Sequence, residues 1–79
     1  MMIGILKRLE HAENMRDDIV EGEFWLWPKI GKCFCFFKFT DGKMRIIETS
    51  HVTKIITRQA AEVVFEAKDG LFQVIMTGV

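Results

Sequence analysis

Lys32 to Glu48 reads KCFCFFKFTDGKMRIIE, and its two apolar arms fold back on each other at Asp41-Gly42. Asp-Gly between two β-prone runs marks a two-residue hairpin, because a type I′ turn needs positive φ at both central positions and these residues tolerate it. Counting outward from the turn pairs Thr40 with Lys43, Phe39 with Met44 and Lys38 with Arg45. Further out, Phe37 pairs with Ile46, Phe36 with Ile47 and Cys35 with Glu48. Successive pairs point to opposite faces. One face then holds Cys33, Cys35, Phe37, Phe39, Met44 and Ile46. The other holds Phe34, Phe36 and Ile47, with Lys38 and Arg45 nearer the turn. Both faces of the central hairpin are therefore partly apolar.

Working toward the N-terminus, Gly22 to Trp27 (GEFWLW) is a second β-prone run, ended by Pro28, which has no N–H for a sheet ladder. Pro28-Lys29-Ile30-Gly31 reads as the turn into the central hairpin. Upstream, Met2, Ile5, Leu6, Leu9, Ala12 and Met15 recur at spacings of three and four, which predicts an amphipathic helix in residues 1–18. Gly4 weakens that helix by up to ~1 kcal/mol relative to Ala, and a short strand over Met2 to Leu6 is the alternative.

Toward the C-terminus, Ser50 as an N-cap predicts a short helical turn near residues 50–56, with Val52, Ile55 and Ile56 inward. A strand running through Val52 to Thr57 competes with it. The last hairpin has a cleaner register. Glu62 to Ala67 turns at Lys68-Asp69-Gly70 and returns as Leu71 to Thr77, with Val63, Phe65 and Ala67 on the side of Phe72, Val74 and Met76.

The resulting expectation is one α+β, mainly β domain over residues 1–79, its β-rich core in 22–77. About five antiparallel strands form a small bent sheet or SH3-like barrel, with an N-terminal helix and a short helical turn before the fourth strand. An open meander with the helix packed across one face is the alternative.

The segments Ile46 to Ile55 (IIETSHVTKI) and Val64 to Phe72 (VFEAKDGLF) together resemble the layout of small phage-encoded β proteins of unassigned function. That resemblance implies a mobile-element origin and transfers no site residues.

Composition narrows the function classes. Eleven basic and eleven acidic residues cancel, so no net field draws the chain to nucleic acid or an anionic membrane. No run of about 18 apolar residues offers a membrane span, and Met1 to Leu6 is too short and too soon followed by charge to be a signal peptide. Cys33 and Cys35 stand roughly 7 Å apart on one strand, outside disulfide geometry. Reduced thiols in a cytoplasmic protein follow. A single Cys-x-Cys with scattered His11 and His51 lacks the paired knuckles of structural zinc, so no metal and no cofactor is expected. A nucleophilic cysteine would need His51 and a carboxylate such as Glu48 beside it, yet the flanking phenylalanines would raise the pKa of either thiol. The chain reads as non-catalytic.

A chain of this length buries only roughly 60% of the surface its unfolded form exposes, and 49% of its residues are apolar. One apolar face of the central hairpin is therefore expected to be left for a partner. The predicted function is protein–protein interaction by a small module, a phage or mobile-element regulator that masks a host protein, with homodimerisation as one form of the contact. Trp25, Trp27, Phe34, Phe36 and Arg45 are the predicted protein-binding residues, since tryptophan and arginine dominate interface hot spots. The alternative is a nucleic-acid-binding barrel, with the same aromatics as a stacking surface beside Lys29, Lys32, Lys38 and Lys43.

Overall fold

The computed structural model describes residues 1–9 and 18–79. Six antiparallel strands run in order β1 (Met2–Arg8), β2 (Asp18–Phe24), β3 (Cys33–Thr40), β4 (Lys43–Gln59), β5 (Glu62–Ala67) and β6 (Gly70–Gly78). Each pairs with the next, and β1 pairs with β6 to close a barrel. The open meander is thereby excluded, and the strand count is six rather than five.

The central hairpin has the register counted from its turn, from Thr40–Lys43 out to Cys35–Glu48. Asp41 and Gly42 both adopt positive φ, 53° and 75°. In the last hairpin Ala67 pairs with Gly70 across Lys68-Asp69, and the expected inner face is inside: Val63, Phe65, Ala67, Phe72 and Val74 are buried. Leu6, Phe24, Phe34, Phe36 and Val52 complete the core. Its aromatics interlock. Phe65 stacks on Phe72 at 5.4 Å, Phe24 on Phe36 at 6.1 Å, and Phe34 meets Phe65 edge-on at 5.4 Å. Such arrangements suit the ring quadrupole and add to the area buried.

Neither expected helical element exists in the described residues. Met2–Arg8 is a strand, and the rest of the expected helix falls on residues 10–17, outside the described residues. Gly4 explains the choice. It pairs with Gly22 of β2, and a Cβ on Gly4 would stand 2.3 Å from the carbonyl oxygen of Ile75 and 2.8 Å from the Phe24 ring. The residue that weakens a helix is the one that lets β1 lie between β2 and β6.

The expected helical turn near residues 50–56 is instead the middle of β4. The ladder to β5 slips between Val52 and Lys54 and again between Ile55 and Thr57. Each bulge adds a residue to one strand and bends it. Ile56, expected inward, is exposed. The two slips leave Val52 opposite Ala67 and Ile55 opposite Phe65, so the core-facing positions of this stretch stand three residues apart. That spacing imitates a helix. A third slip lies between Cys33 and Cys35, where the buried Thr49 hydroxyl accepts the Phe34 N–H at 3.2 Å and donates to the Ser50 carbonyl at 2.8 Å.

The strand expected at Gly22 to Trp27 is β2, shifted toward the N-terminus and finished at Phe24. Trp25 to Lys29 lies outside any strand. Trp27 folds back edge-on to Phe24 at 4.9 Å and packs against the core. Beyond Pro28, Gly31 takes φ 87° and the Lys32 N–H closes a turn onto the Lys29 carbonyl at 3.1 Å.

Candidate functional site: the outer face and open edge of the central hairpin

Alternation along β3 and β4 divides the hairpin. Phe34 and Phe36 point into the barrel and are buried, so neither offers a binding surface as the sequence reading expected. With apolar side chains on both faces, bulk decides which goes inside. Phe34 and Phe36 fill the barrel centre better than Cys33 and Cys35 could. The face left outside carries Phe39, Met44 and Ile46, which are 56%, 57% and 62% exposed. Phe39 pairs directly with Met44, and half-buried Phe37 with Ile46.

Of the predicted binding residues, only Trp25 reaches this outer face. It is exposed, and its ring lies 5.5 Å from that of Phe37. Trp27 is half-buried beside Phe24. Arg45 is exposed but pairs with Lys38, on the opposite face of the hairpin near its tip. The five residues do not form one surface. Phe37, Phe39, Met44 and Ile46 were not among the predicted binding residues, although the register placed them together on one of the two hairpin faces of which one was expected to be left for a partner.

Beside this face lies a groove of about 600 Å³. Trp25, Leu26 and Trp27 line it from the loop after β2 and Cys33, Cys35 and Phe37 from β3, with Lys29 and Lys32 on the turn that joins the two sides. It exists because β2 and β3 share a single rung, Glu23 with Phe37. At that rung a Cβ on Gly22 would stand 2.0 Å from the Phe37 carbonyl oxygen. The strands touch there and part on either side, and the next rung toward the groove, Trp25 with Cys35, is missing.

The two thiols border the groove without converging on His51. Cys33 is opposite His51, while Cys35 is opposite Glu48 and donates to its Oε2 at 3.5 Å. Burial raises the Cys35 pKa, and the hydrogen bond and negative charge of Glu48, then Cys33, raise it further. At neutral pH Cys35 is a protonated thiol, a poor nucleophile. Among the described residues no three His, Cys, Asp or Glu side chains come together as a metal site, and no helix is long and apolar enough to cross a membrane. No family model, curated protein or solved structure matches the chain.

Proposed function

We propose that the protein acts without catalysis, by binding another protein through the outer face of its central hairpin. The observation that supports this is the run of exposed apolar side chains on that face, Trp25, Phe39, Met44 and Ile46, against a core that already holds the other face. Contiguous apolar surface on a small soluble chain marks an interaction site. In the reading suggested by phage-encoded β proteins, the barrel masks a host factor by covering it.

The test replaces Phe39, Met44 and Ile46 together by serine. Proximity labelling in cells that express the protein should recover a partner with wild type and lose it with the triple variant, while urea midpoints of the two agree. Equal recovery with both would overturn the reading. Self-association as the form of contact is checked by light scattering over a concentration series. A dimer that the triple variant abolishes identifies the partner as a second copy.

A further inference from the structure

The edge of β3 beside the groove adds a second kind of recognition, which rests on the protein-binding reading above. The Asp41-Gly42 turn makes Thr40 and Lys43 a hydrogen-bonded pair. In an antiparallel ladder such pairs alternate with non-bonded ones. Lys38 and Phe36 therefore direct their N–H and C=O groups to β4, and Phe39, Phe37 and Cys35 direct theirs away from it. Past the bulge the Lys32 carbonyl accepts the Val52 N–H at 2.9 Å and the Phe34 N–H reaches Thr49. Cys33 accordingly also turns its backbone away from β4. Phe37 finds Glu23, whereas no backbone hydrogen bond among the described residues answers Cys33 or Cys35.

We infer that this edge takes up an extended peptide segment of another protein as an additional strand, in the place that Trp25 vacates by leaving β2. The occupant is defined by the groove. Two N–H donors and two C=O acceptors on alternate residues require an extended backbone, since a helix has already used its own. The lining of Trp25, Leu26 and Trp27 with Cys33, Cys35 and Phe37 takes apolar side chains. Lys29 and Lys32 on the turn that joins the two sides favour a carboxylate there. The segment is thus an apolar strand with an acidic residue at one end.

The experiment pans a displayed library of random linear peptides against the full chain and titrates the best binder into isotope-labelled protein. The expected result is enrichment of alternating apolar residues next to Asp or Glu, with the Cys33 and Cys35 amide protons shifted and slowed in exchange. Cys35→Pro removes one donor on the groove side without touching the ladder to β4, and should weaken the peptide by about ten-fold. Should that variant fail to fold, methylating alternate backbone nitrogens of the peptide makes the same test on unaltered protein. Lys29→Glu with Lys32→Glu should switch the enriched charge from acidic to basic.

Peptides that shift Phe39, Met44 and Ile46 but leave the Cys33 and Cys35 amides unchanged would overturn the strand addition and leave the outer-face reading standing. No enrichment over bare support would overturn the strand addition alone, since the outer face is tested by the triple serine variant. Displacement of the peptide by a single-stranded oligothymidine at equal concentration would overturn the inference in favour of base stacking.

Discussion

The two hairpins of this barrel follow the same local rule and end in opposite states. In β5–β6 each strand has a laddered neighbour on both sides, β4 and β1. Its inner side chains are buried, and its outer face mixes Glu62, Glu66 and Gln73 with half-buried Val64 and Ile75. In β3–β4 the inner face is buried at Phe34 and Phe36 and opens toward the tip at Lys38 and Arg45, but the outer face is apolar and the outer edge of β3 is held by one rung. The difference separates side chains that build the fold from those the fold does not use. Phe65→Ala should therefore lower the unfolding free energy by about 3–5 kcal/mol, as expected for a fully buried phenylalanine. Phe39→Ala should cost under about 1 kcal/mol. Urea unfolding of both variants measures the gap, and equal losses would mean that the outer face is part of the core. For a chain whose total stability is of order 4–12 kcal/mol, the first change is severe.

A smaller effect probes the weak seam. Gly22→Ala places a methyl group where the Phe37 carbonyl oxygen already sits, 2.0 Å away, with the Phe36 ring at 2.9 Å behind it. A backbone oxygen cannot rotate aside, so the Glu23–Phe37 rung must open, at a cost of about 1–3 kcal/mol. Hydrogen exchange of the Glu23 and Phe37 amides should accelerate more than that of β5 and β6. Uniform acceleration across the barrel would show that the seam and the last hairpin unfold as one unit, and would remove the contrast between them.

The same seam marks where the sequence stops being legible. The central hairpin could be read to the residue from Thr40–Lys43 to Cys35–Glu48, because a turn of known length fixes register. In the last hairpin alternation fixed the faces, although the turn is Lys68-Asp69 and Gly70 already belongs to β6. Barrel closure was not local. Met2 to Leu6 fits the longer helical spacing better than the short strand kept as its alternative, and only the backbone of Ile75, far along the chain, decides for the strand that Gly4 permits. In β4 the three consecutive slips broke the two-residue period on which the reading depended, and spacing alone cannot distinguish bulges from a helical turn. The choice of outer face also needed the whole barrel, since it depends on which set of side chains fills the centre. The tryptophans illustrate the limit. One of the pair packs half-buried against the core and the other is a surface residue, because β2 ends at Phe24 and the loop that follows turns Trp27 back onto that ring.

The smallest effect tests how the last hairpin is tied down. Its turn is anchored to β4 by Asp69, whose Oδ1 accepts the Ser50 hydroxyl at 2.8 Å and the Ser50 N–H at 3.2 Å. Arg8 holds the Asp69 carbonyl at 2.8 Å, and its guanidinium lies 4.9 Å from the Phe72 ring centroid. Burial acts to raise the Asp69 pKa, but the Ser50 hydrogen bonds, its own N–H and the charge of Arg8 together hold it below the ordinary carboxylate value. The folded protein therefore binds that proton less readily than the unfolded chain. The stability contributed by Asp69 is complete above the unfolded value of about 3.9, and it is lost as pH falls through the lower folded value. Asp69→Asn should lower the urea midpoint slightly at pH 7 and flatten its decline below about pH 4, so that the two proteins converge in acid. Ser50→Ala should flatten the acid limb in part and cost further stability in the Asp69→Asn background, because the Ser50 hydroxyl both donates to Oδ1, which asparagine retains, and accepts the N–H of residue 69 at 3.0 Å. If Asp69→Asn left the acid limb unchanged, the turn would be held by the ladder alone, and the two hairpins would then differ only in their outer faces and edges.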